Sequence, residues 1–126
     1  METQNLWPEF VVEKVRSPKT ILKEQAGYLM KMTKNILSAD VETTQERSTG
    51  QIIHNFYVVA PAMDNYRYRV FNVSHDVIYY PLSVMYRGRF IAVTNEEEFL
   101  SVLSEIFKDG DTARIISSLL AQSMAE

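Results

Sequence analysis

The stretch from Ser17 to Leu37 constrains the fold most, because its start is marked and its two sides differ in chemistry. The Ser17 hydroxyl can accept from the first free amide groups of a helix, and Pro18 then falls at the first helical position, where a missing N–H costs little. At about 100° per residue, Ile21, Leu22, Ala26, Leu29, Met32 and Ile36 share one sector with Tyr28 at its edge, so that sector is predicted to be core. Lys19, Lys23, Lys31 and Lys34 occupy another sector around Gly27, a residue that costs about 1 kcal/mol inside a helix relative to Ala and suggests a closely approaching backbone or a solvated face. Gln25 points into the apolar sector, so it is expected either to bond a strand end or to sit at the sector's rim.

A helix with one apolar side needs something to cover, and the chain supplies strands. Asp40 to Arg47, rich in Val and Thr, suits an edge strand. Gln51 to Ala60 is so apolar that it is expected inside the sheet. Tyr66 to Val73 alternates, with Tyr66, Tyr68 and Val70 predicted on one face and Arg67, Arg69 and Phe71 on the other. Val77 to Tyr86 contains Pro81, which demotes it to an edge or a bulge, and Phe90 to Thr94 closes the series after a turn at Arg87 to Arg89. Asn95 with Glu98 forms a capping box, and Glu96 to Glu98 suit the positive end of the helix dipole. Phe99, Leu100, Leu103, Ile106 and Phe107 give a helical stripe that ends at Gly110, and Asp111 caps a last helix with Ile115, Ile116, Leu119, Leu120 and Met124 inward. The expected fold is α+β: an antiparallel four- to five-stranded meander covered by an N-terminal helix and two C-terminal helices, forming one domain over residues 1–126. Residues 1–16 are expected to form an arm or short strand pinned on the core by Trp7, with an exposed Trp at an interface as the alternative.

Charge is spread unevenly. The net charge is −3, yet Glu13 to Lys34 carries +4 and Asn95 to Glu126 carries −5. Such polarity can steer a charged partner or let the two regions attract each other within the fold. Composition then removes several function classes. Without cysteine, disulfides, thiol nucleophiles and thiolate metal sites are excluded. No apolar run reaches the roughly 20 residues of a membrane span, and the N-terminus lacks the order of a signal peptide, so a cytoplasmic location without membrane contact is expected. No phosphate-cradling glycine loop is present.

Ser74, His75 and Asp76 are adjacent, and consecutive residues cannot converge as nucleophile, base and orienter. His54 and His75 lack metal-ligand spacing, although strand ends could bring them together with Asp64 or Asp76. Tyr66, Arg67, Tyr68 and Arg69, with Tyr79, Tyr80, Tyr86, Arg87 and Arg89, form the most distinctive composition, suited to macromolecular contacts or to stacking and phosphate binding. The element order resembles a double-stranded-RNA-binding domain, but Glu96, Glu97 and Glu98 stand where such domains carry lysines, which argues against RNA.

The segments Ile21-Leu22-Lys23-Glu24-Gln25-Ala26, Val58-Val59-Ala60-Pro61-Ala62 with Asn65-Tyr66-Arg67-Tyr68-Arg69, and Leu119-Leu120-Ala121-Gln122-Ser123 resemble those of a family of small bacterial proteins. The resemblance covers nearly the whole chain and implies no activity, cofactor or site. The residues themselves point to a non-enzymatic macromolecular interaction protein of inhibitor, immunity or adaptor type, without cofactor, metal or catalytic residues. Its expected binding residues are Tyr66, Arg67, Tyr68, Arg69, Arg87 and Arg89, with Lys19, Lys23 and Lys31. The expected partner is another protein, and a homodimer is compatible with the chain. The alternatives are a small hydrolase or nuclease using His54 and His75 with a carboxylate, and a nucleic-acid binder through Arg67, Arg69, Arg87 and Arg89.

Overall fold

The computed structural model describes residues 2–125. Helix α1 spans Pro18–Met32, and Ser17 caps it as its position predicts, its Oγ accepting from the Thr20 N–H at 3.1 Å. The helix stops at Met32 rather than Leu37 because the next turn is rerouted. The Thr33 hydroxyl donates to the Leu29 carbonyl at 3.0 Å and accepts the Leu37 N–H at 3.2 Å, while Lys34 and Asn35 turn left-handed with φ of 52° and 64°. This reversal drops Leu37 into the core, fully buried, and leaves Met32 81% exposed.

Five strands follow: β1 Ser38–Gln45, β2 Ile52–Ala60, β3 Tyr66–His75, β4 Leu82–Tyr86 and β5 Arg89–Val93. They pair antiparallel in sequence order, the meander expected from the alternating segments. A short 3₁₀ turn, Pro61–Met63, links β2 to β3. Polar β1 lies at one edge, and apolar β2 lies inside the sheet. Pro81 stands just before β4 instead of within it, so Val77 to Pro81 form a loop and the strand begins only at Leu82.

On β2, His54, Phe56, Val58 and Ala60 are buried while Ile53, Asn55 and Tyr57 are half-buried, so one face of the sheet carries the core. Buried residues of all three helices join that face in a single cluster: Ile21, Leu22 and Ala26 from α1, Phe99, Leu103 and Ile106 from α2 (Glu96–Lys108), and Leu119 from α3 (Gly110–Ala125). At its centre the Phe56 and Phe71 rings stack at 5.1 Å, and Phe107 meets both at 5.6 and 5.8 Å. The other face of the sheet is left open.

Strict alternation along β3 would put Phe71 on that open face with Arg67 and Arg69. Instead the register shifts, so that Phe56 faces Phe71 while Tyr57 faces Arg69, leaving Val70 without an opposite residue. This β-bulge inserts one residue and flips the parity of everything beyond it. Tyr68, Val70 and Phe71 therefore all contribute to the core.

Asn95 caps α2, its Oδ1 accepting the Glu98 N–H at 2.8 Å, and the Glu98 carboxylate accepts the Thr94 N–H at 2.9 Å. The break between α2 and α3 falls at Asp109, whose backbone is extended. Its carboxylate accepts the Asp111 N–H at 3.3 Å, so Asp109 caps α3 and Gly110 begins it, displacing Gly110 and Asp111 from the capping roles expected of them. Met124 is 71% exposed and is not part of the inward stripe.

Trp7 does not pin the arm. It is 75% exposed, and Leu6, Phe10, Val11 and Val12 are exposed with it. Residues 2–16 form neither helix nor strand. Gly27 faces open space with no backbone near it, and Gln25 makes no side-chain hydrogen bond among the described residues, lining an apolar groove instead. No described helix is long and apolar enough to cross a membrane.

Candidate functional site

Strand β3 is longer than β4, and only Asn72 to His75 pair with β4. Among the described residues, the first part of β3, from Tyr66 to Phe71, therefore has a strand partner on its β2 side alone. An unpaired strand edge is a template for an added chain. The β4–β5 turn and the first turns of α3 stand across the gap, and together they enclose an open cleft of about 940 Å³ lined by Tyr68 to Phe71, Met85 to Gly88, Asp111 to Ile115, Ser117 and Ser118.

Three arginines reach this cleft from three elements: Arg69 from β3, Arg87 from the β4–β5 turn and Arg114 from α3. Arg87 pairs with Asp111. Arg69 has only a long contact of 3.4 Å to Asn55 Oδ1, and Arg114 makes no ion pair among the described residues. The wall between turn and helix is fixed by Tyr86, which is 7% exposed. Its hydroxyl donates to the Asp109 carboxylate at 2.7 Å and lies 2.8 Å from the Thr112 hydroxyl. A Tyr hydroxyl has one proton, so Thr112 is the donor in the second bond. Burial, ahead of its hydrogen bonds, pushes the Tyr86 pKa upward and keeps it neutral.

The structure thus brings together Tyr68, Arg69 and Arg87 among the residues expected to bind. It separates the others. Arg67 shares the sheet's open face with Arg69 but does not line the cleft; it lies 3.0 Å from Glu42 and 4.0 Å from Asp40, with its guanidinium 4.1 Å over the Tyr57 ring. The Glu42 hydrogen bond raises its pKa further. Tyr66 and Arg89 are exposed outside the cleft. Lys19, Lys23 and Lys31 stand on α1, away from the cleft, and none of them forms an ion pair among the described residues. Among the described residues no ion pair joins the acidic C-terminal helices to these lysines. What joins these regions is Arg16, which bridges Glu24 at 2.7 Å and Glu96 at 3.2 Å.

Arg114 and Ser117 were not legible as site residues, since Arg114 falls in an ordinary helical stripe beside Ile115. Only the packing of α3 across the end of β4 aims it at the cleft.

His54 and His75 do meet, but inside the protein, at 3% and 4% exposure. Their Nε2 atoms are 2.8 Å apart. Thr43 Oγ1 lies 2.9 Å from His54 Nδ1, and the Asp76 carbonyl lies 2.6 Å from His75 Nδ1. A carbonyl only accepts, so His75 carries its proton on Nδ1 and accepts on Nε2; His54 donates from Nε2 and accepts the Thr43 hydroxyl on Nδ1. Every ring nitrogen is satisfied with both rings neutral. Asp76 supplies its backbone rather than its carboxylate, and no group of three or more metal-ligating side chains exists among the described residues. Burial first, then the neighbouring His75 and Lys19, lower the His54 pKa to about 4.

No family model, curated protein or solved structure matches this chain. Its class is defined by the fold and cleft alone: an α+β protein whose antiparallel sheet has one helix-covered face, one open face and a half-paired strand beside an arginine cleft.

Proposed function

We propose that this chain is a non-enzymatic interaction protein, of inhibitor, immunity or adaptor type, that holds an extended acidic segment of a partner protein along the free edge of β3. The observation that carries this reading is the coincidence of unpaired backbone from Tyr66 to Phe71 with Arg69, Arg87 and Arg114 around the same cleft. A segment added to a sheet edge gains main-chain hydrogen bonds, and side-chain chemistry beside the edge sets specificity. Here that chemistry is cationic, with two of the guanidinium groups free of carboxylates among the described residues, so Asp or Glu on the guest would take bidentate bonds.

The reading is tested with a fluorescent extended peptide of alternating Glu and Val, a Gln-Val analogue and a single-stranded oligonucleotide, each titrated at moderate salt. Binding of the acidic peptide alone is expected, weakened at least tenfold by Arg114→Ala or Arg69→Ala and unchanged by Arg67→Ala. Equal loss with Arg67→Ala, or preferential binding of the oligonucleotide, would sink it.

A further inference from the structure

On the other side of α3 lies a second opening with different chemistry. It is a groove of about 430 Å³ between the last half of α1 and α3, walled by Tyr28, Leu29, Met32 and Ile116 and floored by Phe56, Val58, Val70 and Phe107. Its volume lies in the range of small-ligand sites. Met32 and Tyr28 on its rim are 81% and 59% exposed, although helix periodicity puts them at the apolar side of α1.

The same chain exposes a second apolar feature with no place to go. Leu6, Trp7, Phe10, Val11 and Val12 are all at least 73% exposed. The segment is nonetheless locally shaped: Asn5 Oδ1 accepts the Trp7 N–H at 3.1 Å, and the Trp7 and Phe10 rings lie 6.0 Å apart. Contiguous exposed apolar surface of this kind marks an interaction site. The arm's root is tied at Arg16 to Glu24 and Glu96, at the start of α1, whereas the groove opens at the end of that helix.

We infer that two copies of this chain exchange arms, the Leu6 to Phe10 segment of each seating Trp7 and Phe10 in the partner's groove between α1 and α3. Charge supports this pairing. The arm carries Glu2, Glu9 and Glu13, and the groove is bordered by Lys108, with Lys31 and Lys34 at the adjoining end of α1. Area supports it as well. A buried aromatic ring contributes about 150–250 Å², so four rings from two arms bury about 600–1,000 Å². The groove surface that the rings cover adds a smaller area, which brings the total to the ~1,000 Å² of a specific interface. Reciprocal exchange is also a closed twofold arrangement, in which each arm–groove contact occurs twice and nothing is left to propagate.

Trp7 is the only tryptophan, so its emission reports the docking directly. The 126-residue chain is examined by light scattering and tryptophan fluorescence over a wide concentration range, together with an arm variant (Phe10→Ala with Leu6→Ala) and a groove variant (Met32→Glu), both altered at exposed positions. The expected result is a dimer whose Trp7 emission shifts to the blue as it forms, with dissociation raised at least tenfold in each variant. Mixing the two variants pairs an intact arm with an intact groove, so the mixture forms a heterodimer that neither variant forms with itself. A monomer with blue-shifted emission at every concentration would place the arm in its own groove and overturn the exchange. So would exposed emission at all concentrations, or a dimer indifferent to both variants.

Discussion

His54 Nε2 donates to His75 Nε2 across 2.8 Å in the interior of the sheet's covered face. That bond links the hydroxyl of Thr43 on β1 to the carbonyl of Asp76 beyond β3, tying three strands by side chains that can both be neutral. Burial opposes a charge on His54, and full protonation of both rings would set two N–H donors against each other across the Nε2 contact, which is why the pair belongs to the neutral state.

A dependence of stability on pH follows. His54 has a folded pKa of about 4 against 6.5 when unexposed to the fold, so the unfolded chain binds the extra proton between these values. Stability from this residue is therefore full above pH 6.5 and declines as pH falls toward 4, by about 3 kcal/mol in all. Denaturant midpoints measured from neutral pH down to about 4 should fall accordingly, and a His54→Leu, His75→Leu double variant should flatten the slope. An unchanged slope in that variant would remove His54 as the cause.

Tyr86→Phe should destabilise the protein by about 1–3 kcal/mol, because the Asp109 carboxylate and the Thr112 hydroxyl lose their common partner at a buried position. Urea unfolding gives the number. The same variant should weaken acidic-peptide binding, since Tyr86 holds the turn bearing Arg87 against the helix bearing Arg114.

Phe71→Ala removes the ring that stacks on Phe56 and meets Phe107. The expected loss is about 3–5 kcal/mol, a large share of the 5–15 kcal/mol that typically separates folded from unfolded chains. Thermal unfolding by circular dichroism should show the transition lowered or abolished.

Asn95→Ala should cost about 1 kcal/mol through loss of the cap on α2, whereas Arg67→Ala should change stability by less than about 1 kcal/mol because its ion pairs lie at the exposed surface. Paired urea titrations of the two variants distinguish a structural role from a solvated one.

The element order was readable because its signals are local. Ser17 with Pro18, Asn95 with Glu98, and the apolar run from Ile52 to Ala60 each specify backbone conformation within a few residues. Sequence pattern and structure differ where a distant contact decides the outcome. Alternation is a local rule that puts Phe71 on the face of Arg69, and only pairing with β2 reveals that Val70 is bulged. Trp7 was expected in the core on hydrophobicity alone, which cannot say whether the room for it lies in its own chain or in another.

Hydrophobic period and capping chemistry act over one or two turns of chain, which is why the helices and the antiparallel meander are legible in the sequence. That Arg69, Arg87 and Arg114 share a cleft while Arg67 and Arg89 do not, and that His54 and His75 are bonded to each other, is set by contacts between elements. Those groupings depend on where β4 ends beside β3 and how α3 crosses it, and strand length mismatch and helix packing are properties of elements in contact.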